Sequence, residues 1–192
     1  MLRSIKSLRD LGGKRVILRC DFNVPLSDGQ ITDDGRIRAA LPTIKHLIST
    51  GARLVICSHL GRPEGQVNSD FSLEPVVARL EELLGQPVVF ASDTIGAHAK
   101  AAAKLLEDGG VALIENLRFS PLETSSDKGE REEFAKSLAE LGDVLVSDGF
   151  GVVHRKQASV YELAKLLPSY AGLLIEREVE VLKSLTENPE RP

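Results

Sequence analysis

Strand-like and helix-like segments alternate along almost the whole chain, and this alternation limits the possible folds more than any other feature. Val16-Ile17-Leu18, Leu54-Val55-Ile56, Pro87–Ala91, Val111–Ile114 and Val144–Val146 are apolar runs too short for stable helices and rich in β-branched residues. Unbroken apolarity marks a strand buried on both faces, as in a parallel sheet. Between the runs lie segments of helical period: 36–50 with Ile37, Leu41, Ile44, Leu47 and Ile48, then 73–84, an alanine-rich 94–107, and 129–141 with Phe134, Leu138 and Leu141. Strands joined through helices run parallel, with right-handed crossovers. The expected fold is therefore α/β, a three-layer α/β/α arrangement around a parallel, six-stranded, Rossmann-like sheet. Its sixth strand is expected near Tyr170–Leu173.

Local punctuation sets the boundaries. Asp33 or Asp34 is expected to cap the first helix and Gly51 to end it, with Pro42 kinking or separating its first turn. Residues 27–35 read as a loop. Ser72 is placed to cap the second helix, with Pro75 in its first turn and Gly85 past its end. Ser159 and Glu162 have the spacing of a capping box, for a helix ending before Pro168. The segment 174–187 puts Ile175, Val179, Leu182 and Leu185 on one helical face, and residues 187–192 read as a linker.

Composition excludes some function classes. The net charge of −4 counts against a nucleic-acid binder. Hydrophobic residues at 42% and charged residues at 27% describe a globular chain rather than a disordered one. No run reaches membrane-spanning length, and the amino terminus lacks a signal peptide's apolar core, so a cytoplasmic protein without membrane contact is expected. Cys20 and Cys57 each close an apolar run and read as small buried hydrophobes in a reducing compartment.

In a parallel sheet all carboxyl ends share one edge, where open α/β sheets bind their ligands. Asp21 and Asn23 follow the first run, with Arg36 at the start of the first helix. His59 and Arg62 follow the second run, Asn116 and Arg118 the fourth, and Asp148, His154 and Arg155 the fifth. Arg38, two residues beyond Arg36, points elsewhere on a helix and reads as an ion-pair partner. Guanidinium groups grip phosphate or carboxylate in paired hydrogen bonds, and Asp21 and Asn23 suit hydroxyls. Together they describe a phosphorylated sugar acid. No Gly-x-Gly-x-x-Gly follows the first run, and there is no Gly-x4-Gly-Lys-Ser/Thr loop to hold a nucleotide. A stand-alone binding module for phosphorylated acids would present the same edge.

Arg19-Cys-Asp-Phe-Asn-Val-Pro25, Ser58-His-Leu-Gly-Arg-Pro63, Glu115-Asn-Leu-Arg-Phe119 and Asp148-Gly-Phe-Gly-Val-Val-His-Arg155 resemble, in order, the signatures of the phosphoglycerate kinase family. The likeness runs from about residue 5 to the end and covers the family's amino-terminal half. It implies an enzyme that reversibly moves a phosphoryl group between ATP and the carboxylate of 3-phosphoglycerate, forming 1,3-bisphosphoglycerate, in glycolysis and gluconeogenesis. It implies that residues 1–173 form the substrate domain and 174–192 the interdomain helix and the start of a linker. ATP or ADP with Mg²⁺ would be bound by a carboxy-terminal nucleotide-binding domain absent from this chain, so the half alone is expected to be inactive. By the same resemblance, Asp21 and Asn23 contact the hydroxyl and carboxylate end, and Arg36 faces the transferring phosphoryl group as the catalytic residue. His59, Arg62, Arg118 and Arg155 form the basic cluster around the substrate, with His154 a further candidate. No metal ligand is expected in this half. Gln157 stands where the family often has a second histidine, and Gly149 where alanine is usual.

Overall fold

The computed structural model describes residues 2–187, so positions 188–192 of the expected linker lie outside the described residues. In chain order the elements are β1 (Arg15–Arg19), β2 (Leu26–Ser27), β3 (Gln30–Ile31), α1 (Gly35–Ser49), β4 (Arg53–Cys57), α2 (Glu74–Leu84), β5 (Val88–Ala91), α3 (Ala97–Leu105), β6 (Val111–Ile114), α4 (Lys128–Ala139), β7 (Val144–Ser147), β8 (Ser169–Ala171) and α5 (Leu173–Glu187). Six strands form one sheet in the order β5-β6-β4-β1-β7-β8, and every pairing in it is parallel.

Side-chain alternation along the strands builds the three layers. Val16 and Leu18 of β1, with Leu54 and Ile56 of β4, face one way and pack with Ile37, Ile44 and Leu47 of α1 and Val76 and Leu80 of α2. Ile17, Val55, Ala112 and Leu145 face the other way, against Ala99, Ala102 and Ala103 of α3 and Phe134, Ala135 and Leu138 of α4. Both faces of the central strands are buried, which is why these strands are apolar without a break. Cys20 and Cys57 are fully buried free thiols, and burial pushes Cys57 up to about 12, so it stays protonated.

The structure corrects several local expectations. Residues 27–35 are not only loop: β2 and β3 form an antiparallel hairpin pairing Leu26 with Ile31. Asp28 and Gly29 lie at its tip with φ of 50° and 74°, the left-handed pair that a tight hairpin turn needs. Helix α1 runs unbroken through Pro42. Asp33 accepts the Gly35 N–H at 2.7 Å, whereas Asp34 occupies the capping position without capping and instead pairs with Arg38 and Arg79. Gly51, at φ 79°, follows the end of α1.

Ser159 and Glu162 do not form a capping box. Residues 158–162 make a single wide π turn, followed by a 3₁₀ turn at 163–165. Ser159 gives both its N–H and its hydroxyl to Glu123, and Glu162 pairs with Arg131 and Lys165. On α5 the expected apolar stripe divides: Ile175 is buried, while Leu182 and Leu185 are 49% and 63% exposed. No helix among the described residues is long and apolar enough to cross a membrane.

Candidate functional site

The loops with the chemistry-bearing residues leave β1, β4, β6 and β7, which are the four adjacent central strands of the sheet. The edge strand β5 contributes differently: Asp93, just beyond it, accepts the N–H groups of Gly96, His98 and Ala99 and so closes the start of α3. From β1 the sheet is extended through β4 on one side and through β7 on the other, so the convergence falls at the change in strand order where open α/β sheets form their crevice.

Arg62, Arg118 and Arg155 line one open cavity of about 500 Å³ together with Glu64, Gly65, Thr124, Lys156 and Gln157. Arg118 sits on a short turn, Leu117–Phe119, made rigid by Asn116. The Asn116 side chain accepts the Arg118 N–H at 3.0 Å and donates to the carbonyls of Leu60 and Phe71. Arg118 itself donates to the Gly61 carbonyl at 2.7 Å, while its buried Nε has no protein partner among the described residues. Burial and the nearby guanidinium charges of Arg155, Arg19 and Arg62 push the Arg118 pKa down. Glu64 at the cavity and Glu123 beneath it offset only part of this cluster of like charges, and an anion would complete the balance.

Asp21, Asn23 and Arg36 lie on the β1 side. Arg36 forms an ion pair with Asp21 Oδ2, and Asp21 Oδ1 accepts the Asn23 N–H at 3.2 Å. Asn23 Oδ1 accepts the Gly61 N–H at 2.8 Å, which ties the first loop to the second. Gly61 has φ 60°, and a Cβ there would run into the Phe71 ring, so only glycine fits.

His59 is almost fully buried between these groups. Its pKa falls to about 2, because burial and then the charges of Arg19, Arg118, Arg36 and Arg155 oppose protonation. The imidazole is therefore neutral, a hydrogen-bonding group rather than a cation of the basic cluster.

Not every residue gathered from the sequence reaches the rim. Asp148 is fully buried and accepts the N–H groups of Leu174 and Ile175, capping α5 from inside the core. Asn116 is likewise buried and shapes its loop. His154 is exposed and does not line the cavity. Conversely, Arg19 and Glu123, together with Ser159, whose spacing suggests a helix cap, form a buried polar cluster behind His59 that the strand-end pattern does not point to. Among the described residues no group of three or more His, Cys, Asp or Glu is arranged to hold a metal ion.

Two buried groups give opposing pH dependences. His59 must gain a proton on unfolding below its ordinary value of 6.5. Its contribution is fully present above pH 6.5 and is lost as pH falls, at about 1.4 kcal/mol per pH unit. Burial raises Asp148 from 3.8 to about 6. Its contribution is fully present below pH 3.8 and is lost as pH rises through 6. Between pH 4 and 6 the two slopes offset each other. Urea unfolding across that range should show His59→Asn losing stability as pH rises and Asp148→Asn gaining it. Parallel slopes in the two variants would contradict the assignment.

A family model described as phosphoglycerate kinase matches residues 5–192. The phosphoglycerate kinase of Leifsonia xyli subsp. xyli is 66% identical over 191 residues, covering 100% of this chain and 47% of that protein. The phosphoglycerate kinase of Clavibacter michiganensis subsp. michiganensis is 65% identical with the same coverage. Among solved structures, the phosphoglycerate kinase from Pyrococcus horikoshii OT3 superposes with a TM-score of 0.90 at 37% identity, over 100% of this chain and 47% of that one. That from Coxiella burnetii superposes with a TM-score of 0.84 at 38% identity, again over 100% and 47%. The chain thus spans about half the length of the relatives it matches.

Proposed function

This chain belongs to the phosphoglycerate kinase family, and from that premise we propose that residues 1–173 are the half that holds 3-phosphoglycerate during reversible phosphoryl transfer between ATP and its carboxylate. The observation that carries this reading is the cavity where Arg62, Arg118 and Arg155 meet beside neutral His59. The three arginines take the substrate's phosphate, Asp21 and Asn23 its hydroxyl and carboxylate end, and Arg36 the phosphoryl group in transit. His59 donates a hydrogen bond without adding charge, and His154 is an outer candidate.

The accepting carboxylate is ionised at neutral pH, so the reaction needs no general base. What remains is positioning and stabilisation of charge on the moving group, which arginines supply without losing their protons. ATP or ADP with Mg²⁺ would be held by a second domain of a longer protein, a reading supported by the family membership and by the chain's spanning about half the length of its relatives. Residues 174–192 would be the interdomain helix and the start of the linker, and Leu182 and Leu185 of α5, exposed in this chain, would pack against that domain. The expected setting is the cytoplasm.

Calorimetric titration of the chain separates phosphate recognition from generic acid binding. 3-Phosphoglycerate should bind at least about tenfold more tightly than glycerate, as loss of charge-assisted bonds to phosphate implies. Equal affinities would remove the basis for the proposal.

A further inference from the structure

Among the described residues, the largest fully buried side chain belongs to a charged residue, Arg19, at the end of β1. The strand residues before it, Val16, Ile17 and Leu18, are apolar, so a hydrophobic side chain would suit the layer without the cost of burying a guanidinium. Three neighbours use its donors. Nε donates to Ser159 Oγ at 2.9 Å, Nη1 donates to the Cys20 carbonyl, and Nη2 lies 3.2 Å from His59 Nδ1. Ser159 passes the chain of bonds onward. Its hydroxyl donates to Glu123 Oε1 at 2.6 Å and its N–H to Oε2 at 3.0 Å. Glu123 is completely buried, so this carboxylate sets the internal countercharge one hydroxyl away from the guanidinium.

The direction of these bonds is fixed by chemistry. Arginine has only donors, so His59 Nδ1 must accept and the ring proton must sit on Nε2. His59 Nε2 has no protein partner among the described residues and is not among the enclosed polar atoms, so it remains available as a donor. The wide turn at 158–162 brings Ser159 between Arg19 and Glu123, and such turns recur at functional sites.

We propose that Arg19 is a positioning residue which, held by Ser159 and Glu123, locks His59 as the neutral tautomer whose Nε2–H donates to the ligand. This deepens the reading of the site as a phosphoglycerate pocket and rests on it for the identity of the ligand. The lock itself exists without any ligand. Arg19 touches no substrate in this scheme and acts through the imidazole alone.

Nitrogen-15 NMR of the His59 ring tests it directly, with Arg36, Arg118 and Arg155 unchanged as surrounding charges. In the wild-type chain the ring should remain the Nε2–H tautomer, with no titration from pH 5 to 8. Arg19→Met should mix the tautomers and weaken 3-phosphoglycerate binding about tenfold, whereas Arg19→Lys should keep Nδ1 as the acceptor and recover part of the affinity. If Arg19→Met fails to fold, Ser159→Ala leaves the charge in place but frees the guanidinium, and tautomer mixing is expected there too. A wild-type ring protonated at Nδ1, or a fixed tautomer in the folded variants, overturns the proposal. Loss of affinity with the tautomer unchanged also overturns it, since that marks a merely structural role. Absence of 3-phosphoglycerate binding by wild type, with the ring locked as described, would instead defeat the proposed function.

Discussion

Arg36→Ala in the full-length protein should lower kcat by about a thousandfold, the scale of an arginine acting on a transferring phosphoryl group, while the KM for 3-phosphoglycerate changes only a few-fold. Arg36 is the second residue of α1, where the helix dipole is positive and no acidic residue occupies the first turn. A cation there works against the helix unless a negative charge is meant to arrive. Its side chain is 52% exposed, and its ion pair with Asp21 is open to solvent on that side. Such pairs add little stability, so the variant should fold normally. Stability therefore does not account for the placement, but charge developing in front of the helix does.

The split between kcat and KM decides the role. Losing an interaction made only in the transition state lowers kcat and kcat/KM equally, whereas losing one made equally with bound substrate raises KM alone. A coupled assay of Arg36→Ala that shows a raised KM with kcat intact would move Arg36 into the ground-state binding set. Arg36→Lys retains a charge but loses the planar fork, so it should recover only part of the rate. Asp21→Asn serves as the control for the partner left unpaired by the alanine variant, because Asp21 is only 11% exposed.

Sequence and structure agree best where a single physical rule governs. Apolar strands such as Leu54-Val55-Ile56 are continuous because both of their faces are buried, and Gly51 and Gly85 end their helices with positive φ. The rim arginines were readable because each follows a buried strand, and parallel strands put their carboxyl ends together. The hairpin at 26–31 was missed although Asp28-Gly29 is a strong turn signal, since its strands are only two residues long. Ser159 and Glu162 show the limit of local motifs. Both have the spacing of a cap, but Glu123 and Arg131 offer buried charged partners, and those bonds outweigh one cap. Arg19 was invisible for a related reason. A charge at the end of an apolar run looks like the strand reaching water, and only the fold reveals Ser159, 140 positions away, as its partner.

Arg118→Ala should weaken 3-phosphoglycerate binding about a hundredfold, the loss expected for a charge-assisted pair of bonds to phosphate, and should leave the ligand-free chain as stable or slightly more so. The two effects have opposite signs because the ligand-free site is strained by its own charge. Arg118 is half-buried, its Nε has no partner among the described residues, and Arg155, Arg19 and Arg62 all repel it. Alanine removes a cation that three guanidinium groups repel and Glu123 only partly offsets, at the cost of one bond to the Gly61 carbonyl. Thermal unfolding without ligand should therefore be unchanged or shifted upward, while the stabilisation that 3-phosphoglycerate gives the wild type through mass action should largely vanish. A residue placed for packing would behave the other way, losing stability first and affinity only as a consequence. If Arg118→Ala destabilises the free chain by several kcal/mol, the guanidinium is there to hold the Gly61 loop, and the cavity loses its strongest claim to be built for an anion.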